Sequence, residues 1–233
     1  MSKTQLIAAL DLDSAAAAFA LVDEIGPALQ WYKVGKQLFT IEGPELVRGL
    51  KQRGKKIFLD LKYHDIPNTV AQAIRSAAAL GADMVNVHAS GGPAMLSAAA
   101  KAAAESEVCL IAVTVLTSLD AEQLHAVGLA CSPAEQALRL AELSRQAGLA
   151  GVVCSAHEIE SIKKACGTDF ITVVPGIRPA GSAAGDQKRI MSPAEAARAG
   201  ADYIVVGRPI LAADKPSQAA QKIQDELKNN SCS

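Results

Sequence analysis

The 233-residue chain is 50% hydrophobic and carries 23 Lys+Arg against 24 Asp+Glu. That composition describes a well-buried globular domain and excludes disordered and fibrous classes. With a net charge of −1 and no block of five or six like charges, neither a nucleic-acid groove nor an anionic membrane surface is indicated, so the expected ligand is small.

Taken from the N-terminus, residues 1–4 run straight into a strand-like apolar segment, 5–10, leaving no room for a signal peptide, and a cytoplasmic protein is expected. No apolar stretch approaches the roughly 18 residues of a membrane span; the longest, around 15–22, suits an Ala-rich helix. Cys109, Cys131, Cys154, Cys166 and Cys232 are odd in number, scattered and without a Cys-x-x-Cys pair, so they read as reduced thiols rather than as a disulfide framework or zinc site.

Short apolar or β-branched runs recur at 6–10, 31–34, 57–61, 84–87, 109–115, 151–154, 171–174 and 203–206. Ala- and Leu-rich segments of helical period lie between them, among them 68–80, 93–104, 133–147 and 192–199. Gly54, Gly81, Gly148, Gly167 and Gly200 stand where helices should end. Eight βα repeats averaging roughly 29 residues predict a single (β/α)8 TIM barrel over 1–233. An open doubly wound sheet is the alternative, disfavoured by the strand count and by the absence of Gly-x-Gly-x-x-Gly.

A barrel of this kind builds its site at the C-terminal ends of its strands, and these ends are unusually polar. In order they carry Asp11, Lys33 with Gly35, Asp60 with Lys62, His88, Thr114 with Thr117, Ser155, Pro175-Gly176 with Arg178, and Gly207 with Arg208. On the third strand, alternation turns Leu59 and Leu61 toward the helices and Asp60 and Lys62 together into the barrel mouth, with Lys33 on the neighbouring strand able to approach Asp60. A structural salt bridge is the plain alternative, but desolvating several ions is costly and is retained chiefly where function requires it. Asp65, before Ile66-Pro67-Asn68, is either a helix N-cap or, having left its own strand, a contribution to a symmetry-related subunit's pocket with Thr69 one turn beyond. Gly207-Arg208 and Pro175-Gly176-Ile177-Arg178 resemble a phosphate clamp, and the Gly- and Ser-containing loop 178–189 has the composition of a lid with Gln187 as a possible ligand contact. His88, His125 and Cys154 receive no role.

At these residues the sequence resembles the orotidine 5′-phosphate decarboxylases. The resemblance is carried by Asp60-Leu61-Lys62-Tyr63-His64-Asp65-Ile66-Pro67-Asn68-Thr69, by Lys33 within Trp31-Tyr32-Lys33-Val34-Gly35, by Pro175-Gly176-Ile177-Arg178-Pro179 through Gly185-Asp186-Gln187, and by Val206-Gly207-Arg208. It implies a homodimer that converts orotidine 5′-monophosphate to UMP and carbon dioxide in pyrimidine nucleotide synthesis, without metal or organic cofactor. It also implies Lys62 as proton donor within a network of Lys33, Asp60, Lys62 and the partner's Asp65. Asp11, Lys33, and Asp65 and Thr69 from the second subunit would hold the ribose, Thr117 and Gln187 the pyrimidine, and Arg178, Arg208 and the Gly207 backbone the phosphate, with Pro175 in the binding loop. Two other readings stay open: a related sugar-phosphate decarboxylase or aldolase holding magnesium in the same Asp-x-Lys-x-x-Asp frame, and a phosphoribosyl-ligand binding protein without catalysis.

Overall fold

The computed structural model describes residues 4–179 and 191–229. Eight strands, β1 (Gln5–Ala9), β2 (Trp31–Gly35), β3 (Lys56–Tyr63), β4 (Met84–His88), β5 (Cys109–Val113), β6 (Gly151–Val153), β7 (Ile171–Val174) and β8 (Tyr203–Val206), follow one another in sequence order around a closed barrel. Every neighbouring pair is parallel, including β1 with β8, where Gln5 to Ala8 match Tyr203 to Val206. Helices separate the strands, and none among the described residues is long and apolar enough to cross a membrane.

The predicted elements form where the apolar runs stand, because strands covered on both faces must be apolar on both. Outward residues such as Leu6, Tyr32, Leu59, Val85 and Ile204 join the layer packed against the helices. Inward residues Ile7, Trp31, Phe58, Met84, Ile111, Val173 and Val205 fill the barrel itself. The predicted helix stops are also in place: Gly54, Gly81, Gly148 and Gly200 lie just past helix ends with φ between 70° and 94°, a left-handed conformation that residues with a Cβ avoid. At Gly151 space decides instead, since an added Cβ would stand 2.2 Å from the Ile171 carbonyl oxygen.

Two strands differ from expectation. β5 ends at Val113 rather than Val115, because the Thr114 hydroxyl and amide both turn onto the Val153 carbonyl at the end of β6. β3 runs two residues further than predicted, to Tyr63, and its ladder with β4 is irregular: Leu59 matches Val85 but Tyr63 matches Val87. Asp60, Leu61 and Lys62 thus face the single residue Asn86, a bulge that bends β3 at the mouth of the barrel.

Candidate active site

Above the apolar plug, the next inward layer divides in two. On β2, β3 and β4 the residues following Trp31, Phe58 and Met84 on the inward face are Lys33, Asp60 and Asn86, whereas Val113 and Val153 stand on the other side, where Val205 of the plug also borders the cavity. The two halves enclose a cavity of about 200 Å3 lined on one side by Lys33, Asp60 and Lys62 and on the other by Val113, Val115, Leu116, Val153, Cys154 and Val205, with Thr117 and Pro175 at its rim. A small, largely apolar ligand with polar groups on one side fits such a lining.

The charged half is a continuous row of alternating sign. Asp11 Oδ1 lies 3.1 Å from Lys33 Nζ, Lys33 Nζ lies 3.4 Å from Asp60 Oδ2, and Asp60 Oδ1 lies 2.6 Å from Lys62 Nζ. The Lys33 and Asp60 side chains retain only 12% and 11% of their exposure, so the pair between them is weakly screened, while Lys62 at 24% opens to the cavity and Asp11 at 58% opens to solvent. Gly35 makes room for the row, since a Cβ there would come within 3.1 Å of Lys33 Nζ and 3.4 Å of Asp11 Oδ1.

Lys62 and Asp60 meet as expected, but regular alternation is not the reason. Lys62 has φ +54°, the one non-glycine among the described residues in the left-handed region, a conformation costing roughly 1–2 kcal/mol for a residue with a Cβ. The side chain of Asn86, fully buried, supports it by accepting the Lys62 backbone N–H at 2.8 Å and donating to Asp60 Oδ1 at 2.7 Å. Sequence reasoning passed over Asn86. The signal was available, because an Asn at the inward position of the otherwise apolar run Met84-Val85-Asn86-Val87 must find polar partners inside the barrel.

His88 stands beyond Asn86 at the end of β4, with its ring centroid 5.6 Å from that of His64. Burial, then the nearby His64, Lys36 and Lys62, push its pKa below the usual histidine range, and Asp60 opposes them. Burial also pushes up the thiol of Cys154, on the cavity wall, and raises that of Cys109 to about 11, so neither is a nucleophile at neutral pH. The four described cysteines are free, as expected of reduced thiols.

The remaining predicted site residues are placed less uniformly. Arg178 is buried, at 8% exposure, and donates to the Ile177 carbonyl at 3.0 Å. Arg208 is exposed at the start of the short helix Arg208–Leu211. The backbone of Gly207 approaches Asp11, because a Cβ there would be 3.4 Å from Asp11 Oδ2, and the two sides of the mouth therefore meet at β1 and β8. Gln187 and the segment 180–190 lie outside the described residues.

Asp65 is not a helix N-cap. The capping position of helix Pro67–Ala79 is Ile66, which provides no side-chain bond, and the Asp65 carboxylate instead accepts the N–H of Ile66 at 2.6 Å. Proline at the first helical position removes one of the amides that a cap would serve. Asp65, Ile66 and Thr69 are all exposed, Ile66 at 67%, and none of the three lines the chain's own cavity. Among the described residues no group of three or more His, Cys, Asp or Glu side chains is arranged to hold a metal ion.

A closed barrel with a charge-lined pocket at the C-terminal ends of its strands defines a (β/α)8-barrel enzyme. Residues 4–223 match the family model for the orotidine 5′-phosphate decarboxylase / HUMPS family, and the chain belongs to that family. It is 53% identical over 231 residues to the orotidine 5′-phosphate decarboxylase of Pectobacterium carotovorum subsp. carotovorum, covering 98% of this chain and 94% of that protein. Identity to the enzyme of the same name from Moorella thermoacetica is 53% over 234 residues, covering 97% and 93%. The crystal structure of orotidine 5′-phosphate decarboxylase from Lactobacillus acidophilus, 38% identical, superimposes with a TM-score of 0.86 over 96% of this chain and 99% of that one.

Proposed function

We propose that this chain decarboxylates orotidine 5′-monophosphate to UMP and carbon dioxide in pyrimidine nucleotide biosynthesis, and that Lys62 protonates the ring carbon that loses the carboxylate. The observation that carries this reading is the unbroken row Asp11, Lys33, Asp60, Lys62, whose last three members line one side of a largely apolar cavity. As the bond between ring carbon and carboxylate breaks, its electron pair stays on the ring. An ammonium beside that carbon stabilises the developing charge, then transfers a proton to it and becomes a neutral amine. Asp60, held between two ammonium groups, fixes where the Lys62 ammonium stands.

Asp60 would also face the departing carboxylate. One charge pair at 4 Å is worth about 4 kcal/mol at an effective dielectric of 20, against enzymatic barrier reductions of about 8–23 kcal/mol. Lys33 and Lys62 offset part of that repulsion, so stabilisation of the carbanion is the larger contribution. Thr117 and Gln187 would meet the pyrimidine, Asp11 and Lys33 the ribose, and Arg178, Arg208 and the Gly207 backbone the phosphate, with Pro175 closing the rim. The phosphate contacts supply binding energy remote from the reacting carbon.

The same reading makes the protein a cytoplasmic homodimer, one barrel domain per chain, that needs no metal or organic cofactor. Asp65 and Thr69 of each subunit would complete the other's site, and the exposure of both, with the apolar Ile66 between them, supports a surface that a second subunit covers. The test is the loss of orotidine 5′-monophosphate absorbance on adding purified protein, with and without excess EDTA. Turnover that survives EDTA is expected; turnover that EDTA abolishes would move the reading to a magnesium-dependent barrel enzyme.

A further inference from the structure

At the bulge, three residues of β3 face one of β4, and a regular ladder cannot satisfy their backbone groups. Asn86, with no exposed surface, fills the gap. A backbone N–H can only donate and a carboxylate can only accept, so the amide orientation is fixed: Oδ1 toward the Lys62 N–H at 2.8 Å and Nδ2 toward Asp60 Oδ1 at 2.7 Å. The same Asp60 oxygen receives Lys62 Nζ at 2.6 Å. A ring of hydrogen bonds thereby runs from the Lys62 backbone through Asn86 and Asp60 to the Lys62 ammonium, gripping that residue at both ends while its φ stays at +54°.

We propose that Asn86 is a positioning residue for the decarboxylation, fixing where the Lys62 ammonium stands by holding its strained backbone and its Asp60 counter-ion with one neutral amide. The proposal rests on the reading of Lys62 as proton donor. Only a side chain that accepts at one end and donates at the other serves both partners. An aspartate in its place would set a second carboxylate against Asp60, and an alanine would leave the Lys62 N–H without its partner. The charged and titratable groups around position 86 are Asp60 and Lys62 of β3, Lys33 reaching over from β2, and His88 on β4 itself; β5 presents the apolar Ile111 opposite it.

The experiment compares Asn86→Ala and Asn86→Asp with the parent and with Lys62→Ala in kcat, KM, UMP affinity by calorimetry, thermal unfolding and pH–rate profile. In Asn86→Ala, kcat should fall about 10²-fold or more while UMP affinity stays within about threefold, since the amide orients the reacting group rather than the ligand. In Asn86→Asp the facing carboxylates share a proton: with it bound, the acid donates to Asp60 as the amide does, and without it the two repel. Activity of that variant should therefore fall as pH rises, through a titration missing from the parent profile. The inference is overturned if Asn86→Ala keeps kcat within about threefold of the parent, if the loss in both variants equals the loss of folded protein, or if the Asn86→Asp profile matches the parent's. Lys62→Ala separates the two claims. If it is inactive while Asn86→Ala turns over normally, the positioning role alone fails; if it turns over normally, the proton-donor reading fails and this inference with it.

Discussion

On the β1–β4 side of the pocket, Asp11, Lys33, Asp60, Lys62 and Asn86 hold one another through contacts of 2.6 to 3.4 Å. On the β7–β8 side, Arg178 and Arg208 sit on the segments that follow the strands, one buried and one exposed. The first arrangement suits chemistry, where a proton must be delivered to one atom within a fraction of an ångström. The second suits capture of a remote, doubly charged group, which tolerates looser geometry because it does not react. Substitutions on the two sides should therefore separate into losses of turnover and losses of affinity.

The sharpest way to break that division is to put the reaction side together from two chains. Lys62→Ala and Asp65→Ala homodimers should each be nearly inactive. Co-expressed in equal amounts, half of the dimers would be mixed and each mixed dimer would hold one intact site, giving about one quarter of parental activity, a recovery of roughly 10³-fold or more over either variant. No recovery in dimers verified as mixed would confine the reaction side to a single chain. On the binding side, Arg208→Ala should raise KM by about 10–100-fold, the worth of one charge-assisted contact to phosphate, with kcat much less affected. An unchanged KM would remove Arg208 from the clamp.

A smaller effect concerns His88 at the end of β4. Because the folded protein lowers the pKa of His88 from its ordinary 6.5, the unfolded chain binds its proton first as pH falls. The stability associated with neutral His88 is complete above that value and is lost as pH drops through the lowered folded value. Denaturant midpoints between pH 7.5 and pH 5 should fall more steeply for the parent than for His88→Asn, and equal slopes would show that His88 is not held neutral.

The same contrast explains what could be read from residues in order. The eight strands and their helices were legible because each apolar run is local and most follow a helix-ending glycine. The approach of Lys33 to Asp60 was legible too, since neighbouring parallel strands bring their ends together, whereas Asp60 and Lys62 meet through a bend that alternation does not contain. The bulge was not, because it depends on Asn86, 24 residues beyond Lys62, and a two-residue period assumes the ladder it breaks. The capping alternative for Asp65 failed for a local reason: Pro67 begins the helix, and the Asp65 side chain turns back onto the very next amide. Burial of Arg178 could not be foreseen because an arginine after a Pro-Gly turn reads as solvent-facing until the wall behind it is known.

If Lys62 acts in the chemical step and the arginine side in binding, removing the lysine must slow the reaction without loosening the ligand. The most direct test is single-turnover decarboxylation by Lys62→Ala at saturating orotidine 5′-monophosphate, with UMP affinity measured on the same preparation. A rate loss of about 10⁴-fold or more with UMP affinity retained within about tenfold is predicted. Turnover within about tenfold of the parent, or a loss explained by weaker binding alone, would contradict it.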